Sequence, residues 1–127
     1  MPQYVDANIL LRYLLDDIPD QAERAETILS QGAFAPAEVL AEVVYVLGGI
    51  YKMPRREICG LLTGIVSMVC CDKPDVIKTG LAVFGRSKLD FVDCILAAHH
   101  QVLGTAVATF DKDLLKELKR IDGKQMP

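Results

Sequence analysis

The sequence has no tryptophan, only two histidines, and four cysteines that form no Cys-x-x-Cys pair. A zinc site needs about four spaced cysteine or histidine ligands, so this scarcity argues against one. The adjacent Cys70 and Cys71 look like buried strand residues and Cys94 like core packing, so we expect reduced structural thiols.

No apolar run approaches the about 20 residues of a membrane helix, and the N-terminus has no basic region followed by an apolar stretch. We therefore expect a cytoplasmic protein without a membrane segment.

Positive charge is also scarce, because 17 acidic residues face 14 basic ones and the formal charge is −3. Such a balance counts against a sequence-specific DNA-binding protein, which usually has a basic surface. It does not count against a nuclease whose metal ions supply local positive charge. At 127 residues the chain can bury one core, and we predict one domain over residues 1–127.

Four acidic residues stand in otherwise apolar stretches: Asp6, Glu42, Asp93 and Asp111. A lone carboxylate in hydrophobic surroundings is costly unless a positive group neutralises it. No lysine or arginine is adjacent to Asp6, Glu42 or Asp93 in the sequence. A hard cation shared by all four carboxylates would remove this cost.

Short apolar runs alternate with longer helical patterns along the chain. The predicted strands are Gln3–Asp6, Ala33–Ala35, Val69–Cys71 and Thr105–Thr109, with Arg120–Asp122 as a candidate edge strand. The predicted helices are Ile9–Asp16, Asp20–Ser30, Pro36–Tyr51, Pro54–Ser67, Asp72–Gly85, Asp90–Leu103 and Asp111–Leu118. This alternation predicts an α/β fold in which helices cover both faces of a parallel sheet.

In sheets of this kind, ligands bind beyond the carboxyl ends of the strands. Asp6 and Asp111 each follow a predicted strand. Asp93 lies in the first turn of a helix whose N-terminal end should reach the same sheet edge, and Glu42 lies about two turns into a helix that begins there. One pocket can therefore collect all four carboxylates.

These acids also have structural explanations. Asp6 can begin the turn before the first helix, with Asn8 beside it as a cap. Asp90 and Asp111 are candidate helix caps, and the acids suited to a first helical turn are Asp93 and Asp113. Glu42 has no capping role. Its alternative is an exposed position, which its apolar neighbours Val39 and Val46 make the weaker interpretation.

The chain resembles PIN-domain proteins, and among them the VapC-type ribonucleases of toxin–antitoxin pairs. Four segments resemble the family's motifs in order and spacing: Val5–Leu14, Ala37–Leu47, Leu89–Ala98 and Thr109–Leu114, the last with Leu114 where the family often has phenylalanine. The resemblance covers essentially the whole chain. It implies a three-layer α/β/α sandwich with a central parallel sheet of four to five short strands, a divalent metal, and phosphodiester hydrolysis, usually of RNA.

Carboxylates without histidine favour Mg²⁺ or Mn²⁺, hard cations that prefer oxygen ligands. We predict Asp6 and Asp93 as direct ligands, with Glu42 and Asp111 holding metal-bound water or a second ion. All four are the candidate catalytic residues. The candidate supporting residues are Asn8, Asp90, Thr109 and Asp113. Asp90 remains an alternative to Asp93 as the ligand from the third motif.

The candidate phosphate contacts are scattered bases near the proposed site, most of which we interpret as ordinary surface charge: Arg12, Lys52, Arg55, Arg56, Arg86, Lys88 and Lys112. Arg12 and Lys112 are the favoured candidates, because each closely follows a motif acid. Lys116, Lys119, Arg120 and Lys124 are interpreted as complementing a helix C-terminus. His99 and His100 lie too far along the helix from Asp93 to share its ion, and we interpret them as a solvated pair.

Two partners are expected besides RNA. The apolar residues of Pro36–Tyr51 cover more than one helical face, which predicts a homodimer with spare apolar surface near the acids. The resemblance implies a small antitoxin that covers this surface.

The alternatives to a ribonuclease toxin are a catalytically inactive PIN-fold binding module and a phosphotransfer or phosphatase domain. A phosphotransfer domain would need an Asp-x-Asp motif, but this chain has Asn8 in place of the second acid.

Overall fold

A computed structural model describes residues 2–125. Within that range the chain forms two short strands and seven helices. The elements are β1 (Gln3–Tyr4), α1 (Ala7–Leu15), α2 (Pro19–Ser30), β2 (Ala33–Phe34), α3 (Ala37–Gly49), α4 (Arg55–Met68), α5 (Pro74–Arg86), α6 (Phe91–Leu103) and α7 (Lys112–Gln125). The predicted three-layer sandwich with a central sheet of four to five strands is therefore wrong for the described part of the chain.

The sheet is small and parallel. In it, Gln3 pairs with Ala33 and Tyr4 with Phe34. The predicted third strand, at Val69–Cys71, is reduced to a single parallel bridge between Phe34 and Cys70. In that bridge the Ala35 N–H donates to the Cys70 carbonyl at 2.9 Å, and the Cys70 N–H donates to the Ala33 carbonyl at 2.8 Å.

The two predicted strands nearest the C-terminus do not form. The segment Thr105–Thr109 adopts no regular structure, and Phe110 after it is fully exposed. The predicted edge strand at Arg120–Asp122 is part of α7. Leu114, Leu118 and Ile121 are buried there. Their spacing of four and then three residues is the period of a helix rather than of a strand.

Helices carry most of the core. A single cluster of buried side chains draws on every helix and includes Leu10, Leu40, Leu62, Leu81 and Leu114. Helices α5 and α6 approach closely at Gly80, where a Cβ atom would lie 2.6 Å from Cδ1 of Ile95. A side chain at Gly80 would therefore displace the end of the Ile95 side chain.

The cysteines are all free. Cys94 is buried in this core, as predicted, and burial raises the pKa of its thiol to about 11. The prediction that Cys70 and Cys71 are buried is wrong, because Cys70 is exposed and Cys71 is only partly covered.

Arg55 fixes the segment that leads into α6. Its Nε–H donates to the Phe84 carbonyl at 2.8 Å, and its Nη2 group donates to the Leu89 carbonyl. The guanidinium also lies 3.7 Å from the centroid of the Phe84 ring. These contacts join the start of α4 to the end of α5 and to the residues just before Asp90.

Among the described residues, no helix combines the length and hydropathy needed to cross a bilayer.

Candidate functional site

Two carboxylates act on a third where α6 and α7 begin. Asp93 lies in the first turn of α6 and is half-buried. Burial, then the negative charge of Asp111, then that of Asp90 raise the pKa of Asp93 above its usual range. The ionised form of Asp93 is therefore disfavoured by burial and by two neighbouring negative charges, and a bound cation would offset both.

Asp90 and Asp111 flank this residue in different ways. Asp90 occupies the N-cap position of α6, but its side chain makes no capping hydrogen bond. Asp111 caps α7, since its Oδ1 accepts a hydrogen bond from the Leu114 N–H at 2.8 Å. The Asp111 N–H in turn donates to Oγ1 of Thr109 at 3.0 Å. Thr109 therefore supports the backbone of Asp111 rather than its carboxylate.

Asp6 follows β1 and caps α1. Its Oδ1 accepts a hydrogen bond from the Ile9 N–H at 3.0 Å, and the side chain is exposed. Asn8 is also exposed and lines a cavity of about 230 Å³ between α1 and α2. Asp6 is therefore the cap of α1, and the prediction that Asn8 caps it is wrong, because Asn8 lies inside the helix. The capping carboxylate uses one oxygen and leaves the other for a ligand.

Glu42 lies on α3 and is exposed. The interpretation that disfavoured an exposed position is therefore wrong. Val39 and Val46 are only partly buried, and Tyr45 is half exposed. The apolar neighbours of Glu42 at helical spacing therefore lie at the edge of the buried face of α3, not at its centre.

The donors suit a hard cation in their chemistry, because they are carboxylates that repel one another around Asp93. These carboxylates are farther apart than the ligands of a single bound metal ion. In residues 2–125, no group of three or more His, Cys, Asp or Glu side chains is positioned to hold a metal ion. The structure thus couples Asp93 with Asp90 and Asp111 through charge and leaves Asp6 and Glu42 as separate exposed carboxylates.

The two predicted phosphate contacts differ in their freedom to bind. Arg12 is largely buried and forms an ion pair with Asp17 at 2.8 Å, while its Nε atom is buried without a hydrogen-bond partner. Lys112 is exposed at the start of α7, next to Asp111. Lys112 is the freer of the two.

The sequence did not predict a charged cluster around Glu117. Both Glu117 oxygens accept hydrogen bonds from Arg86 and from Arg120, at distances between 2.5 and 3.3 Å. Burial acts to raise the pKa of Glu117, but the hydrogen bonds and charges of Arg120 and Arg86 prevail and lower it to about 2. The spacing of Glu117 and Arg120 on one helix was the only sequence signal. Arg86 belongs to another helix.

His100 is a structural link rather than part of a solvated pair. Its Nδ1 atom lies 2.9 Å from the Thr105 carbonyl oxygen, and its Nε2 atom lies 2.6 Å from Oδ1 of Asp122. These partners raise the pKa of His100, the Thr105 carbonyl most and the Asp122 carboxylate next. The imidazole thereby ties the end of α6 to α7 and to the segment that leads to Asp111.

Comparison with protein families gave one match: the model of the PIN domain covers residues 3–123. Comparisons with curated proteins and with solved structures each returned no match.

Proposed function

The chain belongs to the PIN-domain family, and we propose that it is a metal-dependent endoribonuclease. PIN domains are generally nuclease domains, and PIN nucleases bind RNA and usually use divalent metal ions. The observation that most supports the proposal for this chain is the raised pKa of Asp93, which burial and the charges of Asp111 and Asp90 produce where α6 begins. A carboxylate whose pKa is perturbed by both burial and specific charged neighbours is a candidate functional residue.

We assign Mg²⁺ or Mn²⁺ as the cofactor. Asp6 and Asp93 would be its direct ligands, and Glu42 and Asp111 would hold water or a second ion. When bound, such an ion activates water and stabilises negative charge on the leaving oxygen. The exposed Asp6, Glu42 and Asp111 are each accessible to solvent and to a ligand. Asn8, Asp90, Thr109 and Asp113 would orient these groups.

A toxin role in a toxin–antitoxin pair extends the proposal. It is supported by exposed apolar side chains within three residues of the acids in the sequence, namely Tyr45, Val92, Leu96 and Phe110. An antitoxin segment or a second copy of the chain would cover these side chains. The proposed homodimer has less support from α3 than its sequence suggested, because Leu40, Val43 and Leu47 are buried within the domain.

The alternative is a PIN-fold binding module without catalysis. It is favoured by the absence, among residues 2–125, of three acids close enough to hold an ion. The two functions differ in one respect that can be measured, which is turnover of RNA.

The test is cleavage of single-stranded RNA by the purified protein with Mn²⁺, with excess EDTA, and with the Asp93→Asn variant. We expect cleavage only by the unmodified protein with Mn²⁺. The Asp75→Asn variant is the matched control, because Asp75 is an exposed acid in the first turn of α5. Cleavage that persists in EDTA or in Asp93→Asn would contradict the metal mechanism. RNA binding without any cleavage would favour the binding module.

A further inference from the structure

Two neighbouring cavities meet at Arg120, on the side of the molecule formed by α5 and α7. One has a volume of about 250 Å³ and is lined in part by Arg86, Arg120 and Lys124. The other has a volume of about 300 Å³ and is lined in part by Lys88, Lys116 and Arg120. We call these five basic residues the basic face.

Glu117 holds two of the five side chains in position. Its buried carboxylate accepts hydrogen bonds from both Arg86 and Arg120, whose side chains remain 45% and 34% exposed. One carboxylate carries a single negative charge, so the pair of guanidinium groups keeps a net positive charge. Because the two groups are already ordered, they lose less conformational entropy when they bind an anion. Guanidinium groups also match the geometry of phosphate oxygens.

Charge is unevenly distributed over the molecule. Five basic residues and two acids, Asp113 and Glu117, line the two cavities, although the whole chain has a formal charge of −3. By contrast, the cavity bounded by α1, α2 and Leu61 of α4 is lined by Asp16, Glu23 and Glu26, and by no basic residue of the described chain. A local positive surface on an acidic protein attracts polyanions to that surface.

The basic face lies close to the acids in the sequence. The cavity that contains Lys88 is also lined by Leu89, which directly precedes Asp90, by Ser87, and by Asp113, two residues after Asp111. From Asp113 the face follows α7 to Lys124, which corresponds to about 16 Å at the rise of an α-helix. A strand passing the acids would therefore meet positive charge along α7, where the acids alone would repel it.

We propose that the basic face binds the phosphate backbone of single-stranded RNA. The adjoining segment of the same RNA strand would then lie at Asp93. The inference deepens the proposed nuclease function and rests on it for the choice of RNA as the ligand. It assigns Lys116, Arg120 and Lys124 to substrate binding rather than to the helix C-terminus.

The experiment measures binding of fluorescently labelled single-stranded RNA to the full chain by anisotropy, in EDTA and over a range of salt concentrations. The test variant is Lys116→Ala/Lys124→Ala, which leaves the Glu117 cluster intact. The control is Lys78→Ala/Lys119→Ala, which removes the same charge from two exposed lysines that line neither cavity. We expect the test variant to bind about tenfold more weakly at low salt and its salt slope to fall by about 0.7 per lost contact, while the control changes less than about twofold.

Equal weakening of the test and control variants would overturn the proposal, because it would show a general charge effect. Binding of polyglutamate in place of RNA would also overturn it and would assign the face to an acidic protein partner. Unchanged RNA binding by the test variant, with cleavage intact, would reject the face and leave the nuclease function standing. RNA binding that depends on the face, without cleavage in Mn²⁺, would support the face and reject the nuclease function.

Discussion

Asp6 and Asp111 each cap a helix with a carboxylate that the proposed reaction also uses. Asparagine caps a helix about as well as aspartate but has no negative charge. Substitution by asparagine therefore separates the two roles, whereas alanine removes both. Activity should fall in Asp6→Asn while the fold is retained.

The capping bonds give a first prediction about stability. Asp6→Ala should lower the free energy of unfolding by about 1 kcal/mol, because the Ile9 N–H loses its acceptor. Asp90→Ala should change it by less than about 0.5 kcal/mol, since Asp90 makes no capping bond despite its N-cap position. Urea unfolding of both variants checks this. Equal losses would show that Asp90 caps α6 in solution.

Asp93 should oppose folding when it is ionised. Its pKa in the folded protein is raised by burial and by the charges of Asp111 and Asp90. The folded state therefore binds the proton more tightly than the unfolded state, and stability falls as the pH rises through the pKa of the unfolded chain to that of the fold. Asp93→Asn should raise the melting temperature at neutral pH in EDTA, and the gain should vanish at acidic pH. A lower melting temperature at neutral pH would contradict the repulsion.

At the scale of elements, the start of α6 depends on Arg55. Arg55→Met should lower the free energy of unfolding by about 2 kcal/mol, because the carbonyls of Phe84 and Leu89 both lose a charged donor. The neighbouring Arg56 is exposed, and Arg56→Met should cost less than about 0.5 kcal/mol. Urea unfolding distinguishes the two. Matching losses would mean that Arg55 does not anchor this segment.

The connection between α6 and α7 should respond to pH through His100. Its pKa is raised in the fold, so its contribution to stability is complete below the pKa of the unfolded histidine and is lost as the pH rises through the folded value. Only the protonated ring donates to both the Thr105 carbonyl and the Asp122 carboxylate.

His100→Gln should remove this pH dependence from the melting temperature, and His99→Gln should retain it. The measurement is thermal unfolding at pH values on either side of the ordinary histidine pKa. A pH dependence that survives in His100→Gln would place the titrating group elsewhere.

At the scale of the whole molecule, the sequence was most informative about helices. Pro74 stands in the first turn of α5, where proline is accepted, so this helix start could be recognised locally. Helix α2 begins at Pro19, one residue before its predicted start at Asp20, and Asp20 lies in its first turn instead of capping it. All seven predicted helices are present, although α7 continues beyond its predicted end at Leu118. Local signals suffice for helices because their hydrogen bonds join residues that are close in sequence.

Strands and distant ion pairs were less predictable because their partners are far away in the chain. The apolar run Thr105–Thr109 has strand composition, yet it forms no strand in this structure. The pairing of Arg86 with Glu117 joins residues 31 positions apart, which no spacing rule reveals. Four candidate acids could be identified from the sequence, but only Asp93 and Asp111 are linked here by charge, with Asp90 beside them.

Calorimetric titration of the protein with Mn²⁺ measures whether the acids around Asp93 form a cation site. We expect saturable binding by the unmodified protein and by the Asp75→Asn control. The affinity of Asp93→Asn should fall roughly tenfold or more, because a change even in the groups that support metal ligands commonly costs about 10- to 100-fold. Equal affinity in Asp93→Asn and the unmodified protein, or no Mn²⁺ binding by either, would contradict the cation site.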